Sequence, residues 1–343
     1  MTTRTQSMTH KINVREYQID NYQFDEKDFL KHYEEGRFSA YWQKYPFPVF
    51  IQLGNPGQAI ATILETFETI KAFDNKRFHN FHKGNPYYWL GISYYLLGNF
   101  SSAIYFVNAA VKEDLDLDPP NYRSPATFFI ELDSDPKEQA GRSLVERAKS
   151  EMNKLIQSYK NTLKTSNISA TFSIEDLRNK LLKKATNPEM QKHQTISTAL
   201  ISYVLEYETQ VKTLRILDTI ESIEPFATHL FKGCVLLESI LKDNPKKISD
   251  KPIKNDLIWW VNKYKTELSI DNLNLVAEDF QAIVNSLPYE QITINDSFSI
   301  ACKIRNKNGH YLEWEMEIDE KDYLILFTAI GIACLHTINC LYT

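Results

Sequence analysis

The chain has 343 residues, enough for two domains with an ample core, and its 43% hydrophobic and 24% charged content is ordinary for a globular protein. Only ten glycines argue against an all-β or turn-rich fold and for helices, and a formal net charge of −5 leaves no overall basic footprint of the kind a dedicated duplex-binding protein carries. The four cysteines, Cys234, Cys302, Cys334 and Cys340, form no C-x-x-C pair, which argues against a disulfide framework and for reduced, buried thiols.

The first residues are polar and lack the apolar stretch of a secretory signal, so a cytoplasmic location is expected. A short helix is predicted around Glu26–Glu35. From Phe47 to about Leu115 the spacing turns helical. Leu90, Gly91 and Tyr94 open one helix, Gly98-Asn99-Phe100 makes a turn, and Ala103, Val107 and Ala110 share one face of the next helix. Small residues at Gly91, Ala103 and Ala110 let two antiparallel helices approach closely. Gly54-Asn55-Pro56 with Ala59 and Ile63 echoes this pattern 44 residues upstream.

These spacings resemble the tetratricopeptide repeat, whose usual period is about 34 residues. The resemblance implies a degenerate pair of helical hairpins that docks a protein or ligand partner. The other reading is an ordinary helical hairpin with coincident spacing.

Pro119-Pro120 breaks the pattern, and an amphipathic helix is predicted from about Lys137 to Leu163, with Leu144, Ala148, Met152, Leu155 and Tyr159 on one face. Ser173-Ile174-Glu175-Asp176 reads as a capping box opening a basic helix through Lys184. Asn187-Pro188 marks a candidate boundary, dividing a repeat-like sensor or docking region, 1–186, from a second domain, 187–343. Further helices are expected over 189–223, 225–242, 257–267 and 273–287, giving an all-α fold.

The most informative stretch is Arg305-Asn306-Lys307-Asn308-Gly309-His310, an R-N-x-x-x-H pattern. A guanidinium, an amide and an imidazole form a compact set for holding a phosphate and moving a proton. Two local readings compete around it. Phe298, Ile300, Cys302 and Ile304 alternate with other residues, as do Leu312, Trp314, Met316 and Ile318 with glutamates, and Asn308-Gly309 is a hairpin-turn dipeptide. That pattern describes a β-hairpin or an extended stretch near 311–318. The reading adopted is a helix over Asp296–Asn306, with Asp296 as its cap, followed by a short extended stretch. Beyond lies an uncharged segment, Tyr323–Tyr342. It is expected as a buried bundle helix, with a membrane tail as the rival reading.

"RNKNGHYL", the "EIDEKDY" that follows, the last apolar segment and the upstream "CVLLESILKDN" together resemble the HEPN family of small helical nuclease domains. The resemblance covers roughly residues 190–343. It implies the helical reading before the motif and a homodimer whose two motifs form one composite cleft. It also implies metal-independent RNA cleavage without a cofactor, with Arg305, Asn306 and His310 as the reacting set. Glu238 is the matching position for a helper acid, and Lys303 and Lys307 add local positive charge. RNA carries its own nucleophile, the 2′-hydroxyl, so cleavage needs a proton-exchanging group and positive charge, and gives a 2′,3′-cyclic phosphate and a 5′-hydroxyl. The resemblance further suggests a regulated toxin or antiviral effector.

Structural roles compete at each position. Arg305 can pair with Glu313 or Glu315, and His310 can be a hydrogen-bonded, partly buried histidine. A non-catalytic adaptor whose C-terminal bundle only dimerises is the alternative function. Lesser candidates are His79 with His82, the basic face of Asp176–Lys184, and Trp259-Trp260 as a base-stacking pair. No Walker-type or dinucleotide-binding loop and no nucleophile elbow is present.

Overall fold

A computed structural model of the chain describes residues 24–117, 124–133, 139–187, 191–216, 224–244, 256–277, 279–308 and 318–343, apart from the side chains of a few helix-end residues, Lys307 and Asn308 among them. The fold is all-α: the described residues form sixteen α-helices and no strand. They fall into two compact units, Met1–His82 and Lys83–Thr343.

The first unit contains α1 (Glu26–Glu34), α2 (Phe38–Trp42), α3 (Phe47–Gln52), α4 (Pro56–Phe73) and α5 (Asn75–Asn80). Its core is aromatic. The Phe81 ring lies 5.0 Å from Phe29, 5.3 Å from Tyr41 and 5.4 Å from Trp42, in the tilted and edge-on arrangements that ring quadrupoles favour. The Trp42 indole N–H, buried with its ring, donates to the His82 carbonyl at 2.6 Å.

The second unit holds α6 (Gly84–Leu96), α7 (Phe100–Leu117), α8 (Pro125–Ile130), α9 (Arg142–Thr165), α10 (Ile174–Lys180) with a 3-10 turn at Leu182–Thr186, α11 (Gln191–Ile216), α12 (Glu224–Lys242), α13 (Leu257–Lys263), α14 (Phe280–Asn285), α15 (Ile294–Asn308) and α16 (Glu320–Leu341). The expected division at 186/187 falls inside this unit, where α7 packs on α11 and α9 on α16.

The helical hairpin anticipated around Gly98 is α6–α7. A Cβ on Gly91 would stand 2.6 Å from Val107 Cγ2, so the two helices touch backbone to side chain there. Gly98 has φ +75°, and the N–H groups of Leu97, Gly98 and Asn99 return to Ser93, Tyr95 and Tyr94. Leu53-Gly54-Asn55 in the first unit repeats this turn, with Gly54 at φ +76° and returns to Val49, Ile51 and Phe50. In each turn the asparagine side chain then caps the next helix, at Ser102 N–H and at Gln58 N–H.

α16 is the core of the second unit, packed against α9, α10, α11, α12 and α15. Its length and hydropathy are those of a membrane span. It is apolar on most of its faces because neighbours bury most of it, with Leu324 left exposed. Two polar chains cross that interior. His336 donates from Nε2 to the Leu268 carbonyl at 2.8 Å and accepts at Nδ1 from the Tyr159 hydroxyl at 2.9 Å. His229 donates from Nε2 to the Tyr203 carbonyl at 2.8 Å and accepts from the Tyr323 hydroxyl at 2.5 Å. A carbonyl can only accept, so Nε2 of each imidazole carries a hydrogen, and burial favours the neutral form with Nδ1 bare. Burial pushes the His229 pKa down to about 3 and lowers that of His336.

Several sequence expectations need correction. The helical reading over Asp296–Asn306 holds, and the rival strand reading falls: the alternation at Phe298–Ile304 belongs to helix α15. Residues 297–304 are buried all round, so their apolar pattern carries no helical period. Asp296 is not the N-cap. Thr293 holds that position, its N–H donating to Asp296 Oδ2 at 3.0 Å while Asp296 N–H donates to Thr293 Oγ1 at 3.1 Å, a reciprocal capping box. The helix expected over 273–287 shrinks to α14. Upstream of it, the N–H groups of Asp271 and Asn274 go to Asn295 and Ser299 side chains of α15 instead of to a helical ladder. The box at Ser173–Asp176 is present, but its helix ends at Lys180 and passes into the 3-10 turn.

Candidate active site

Helix α15 carries Arg305 and Asn306 on its last described turns, with α12 packed beside it. The N-terminal end of α15 is fixed by its capping box and by Ile294 N–H donating to Ser166 Oγ at 3.0 Å. On α12, Gly233 lets α11 and α16 approach, since a Cβ there would stand 2.5 Å from Tyr203 Cε2 and 2.8 Å from Ile330 Cγ2.

The packing of α12 and α15 brings Arg305 and Glu238 together. Arg305 Nε donates to Glu238 Oε2 at 3.1 Å, the arginine side chain 29% exposed and the glutamate 8%. The other oxygen of Glu238, Oε1, accepts from Lys242 one turn along α12. The Arg305 guanidinium carbon stands 4.9 Å from the centre of the Phe231 ring. Arg305 makes no other hydrogen bond among the described residues. Among the described residues, one carboxylate thus faces two cations, and this cluster keeps a net positive charge.

Asn306 is exposed, one residue on and so about 100° around the helix from Arg305. Lys303 is buried, and desolvation lowers its pKa, partly opposed by Asp296. Lys307 belongs to α15, with its side chain outside the described residues. His310 lies outside them too, as do the stretch 309–317 and the glutamates Glu313 and Glu315 weighed as partners for Arg305. Phe231 and Lys242 were not legible as site residues. Lys242 follows Glu238 by four, the spacing of a helical ion pair, and Phe231 precedes it by seven, two turns along the same face.

The lesser candidates are disposed differently. Arg178 is taken up by Asp133, Glu175 and the Glu131 carbonyl, and Lys180 by the carbonyls of Asn339 and Tyr342. Trp259 and Trp260 are half-buried on α13, with Lys263 4.6 Å from the Trp259 ring centre. No group of three or more His, Cys, Asp or Glu suited to a metal occurs among the described residues. Cys234, Cys302 and Cys334 are free and buried, and burial pushes each thiol well above its ordinary pKa, which makes them poor nucleophiles.

No protein-family model, no curated protein and no solved structure matches this chain.

Proposed function

We propose that the second unit is a metal-independent endoribonuclease of the HEPN kind, with Arg305, Asn306 and His310 as its reacting set. The observation that carries this reading is the Arg305–Glu238 ion pair. The motif resemblance points to these two positions, 67 residues apart in sequence, and they are 3.1 Å apart in space. In this reading the 2′-hydroxyl of the substrate attacks the adjacent phosphorus. Arg305 holds the phosphate oxygens and meets the charge that develops on them, and His310 exchanges the proton. Asn306 orients substrate or imidazole, Lys303 and Lys307 add positive charge, and Glu238 orients Arg305. The resemblance extends the proposal to a homodimer with a composite cleft, to repeat-like hairpins that receive a protein or ligand signal, and to a role as toxin or antiviral effector in the cytoplasm.

The test is RNA cleavage by the full chain in EDTA. Arg305→Ala and His310→Ala are each expected to slow cleavage by at least on the order of 100-fold, with 2′,3′-cyclic phosphate ends on the wild-type products. Undiminished cleavage by His310→Ala removes the proposed chemistry. One observation favours the adaptor reading: the Glu238 carboxylate joins α12 to α15 through Arg305, a role that needs no substrate. On that reading Arg305→Ala lowers the melting temperature while the wild-type chain cleaves no RNA.

A further inference from the structure

The guanidinium of Arg305 is held from two directions by one helix. Its Nε is engaged by Glu238, and its carbon lies 4.9 Å from the centre of the Phe231 ring, within cation–π range. Glu238 and Phe231 are both on α12, seven residues and about two turns apart, so the arginine lies along that helix. Side chains on a helix lean toward its N-terminus, which lets Glu238 reach back toward the group that Phe231 touches.

Two properties follow from this arrangement. The edge carrying Nη1 and Nη2 makes no hydrogen bond among the described residues, and it is the edge whose paired donors match two oxygens of a phosphodiester. Among the described residues the charge on that edge is not fully cancelled either, because Glu238 divides its two oxygens between Arg305 and Lys242.

We propose that Phe231 is a positioning residue for Arg305: together with Glu238 it fixes the plane of the guanidinium so that the Nη edge, unbonded among the described residues, receives a phosphodiester of single-stranded RNA. This rests on the endoribonuclease reading for its substrate, but the geometry it asserts is separable from cleavage. Phe231 acts through Arg305. Removing the ring therefore weakens binding of the phosphate more than it changes the proton transfer that follows.

The experiment combines arginine side-chain NMR with binding and cleavage. In the free wild-type protein the Arg305 side-chain protons are expected upfield, in the ring current of Phe231, and Nε–H is expected to exchange slowly. Binding is then measured with a 2′-O-methyl oligoribonucleotide, which cannot be cleaved because its nucleophile is blocked. Phe231→Leu keeps bulk without the ring. It is expected to lose the upfield shifts, to weaken oligonucleotide binding by about fivefold or more, and to raise KM more than it lowers kcat. Phe231→Tyr is expected to restore binding to within about twofold, since the ring face is retained. Arg305→Lys is expected not to rescue, because an ammonium has no paired edge.

Wild-type binding and shifts in Phe231→Leu overturn the positioning role whatever the cleavage result. Ordinary Arg305 shifts in the wild-type chain overturn it even where the leucine variant fails to fold. A wild-type chain that binds the oligonucleotide through Arg305 but cleaves no RNA leaves the positioning role standing and removes the nuclease reading. A wild-type chain that does not bind the oligonucleotide overturns the phosphodiester assignment itself.

Discussion

At the scale of single residues, the second unit keeps imidazoles neutral inside its core. His229 and His336 each have both ring nitrogens satisfied, one by a carbonyl and one by a tyrosine hydroxyl, and desolvation lowers their pKa values and that of His193. Protonating Nδ1 of His229 or His336 would turn an acceptor toward a hydroxyl that already donates to it. The unfolded chain takes up these protons near its ordinary value of 6.5, while the folded chain holds out to about 3 at His229. Their contribution to stability is therefore complete above pH 6.5 and declines as pH falls from there toward 3. Each excluded proton adds up to about 1.4 kcal/mol per pH unit. Urea midpoints are expected to drop between pH 7 and 5.5, before most carboxylates titrate, with net proton uptake on unfolding. A flat midpoint across that interval contradicts the neutral assignment. The same residue scale shows what local pattern could reveal. Arg305 and Glu238 could be picked out because helix pattern and motif are local properties. Phe231 could not, because its role depends on which helix lies beside α12.

At the scale of elements, small residues set how closely helices pack, and magnitudes decide the sign of substitution there. Alanine is better than glycine inside a helix by about 1 kcal/mol. At Gly233 the added methyl would meet the Tyr203 ring at 2.5 Å, a ring held by stacking on His229 at 4.5 Å between centroids and by its own burial. Overpacking of about 1–3 kcal/mol is expected to win, so Gly233→Ala lowers the melting temperature. Gly57 in α4 is the control: its Cβ would have no neighbour nearer than 4.0 Å, and Gly57→Ala is expected to be neutral or to stabilise by up to about 1 kcal/mol. Thermal melts of the two variants moving in the same downward direction would falsify this account. Most helices were legible as elements: α1, α6, α7, α9 and α12 follow apolar spacing and turn residues. α15 was ambiguous for a physical reason. A helix buried on every face has no amphipathic stripe, so period two can arise within it by chance. The segment before α14 was expected to be helical, but the N–H groups of Asp271 and Asn274 are taken by the Asn295 and Ser299 side chains, which only the fold brings near.

At the scale of the whole molecule, the all-α class was legible from the scarcity of glycine and from the helical spacing. The compact division at His82 was not, since the composition does not shift there. The second unit depends on α16, whose Ile330 and Leu326 are fully buried. Ile330→Ala is expected to cost about 2–5 kcal/mol in urea unfolding, the range for a large core side chain that leaves a cavity; a loss under about 1 kcal/mol would mean the site collapses around the change. The partners of α16 come from distant parts of the chain: Tyr159 meets His336 across 177 positions, and Lys180 meets Asn339 across 159. Helical proteins tend to fold fast because their contacts are near neighbours in sequence, and the α6–α7 hairpin fits that description. α16 does not. Its walls on α9 and α10 close large loops, so this unit is expected to fold more slowly than its helix content alone would suggest.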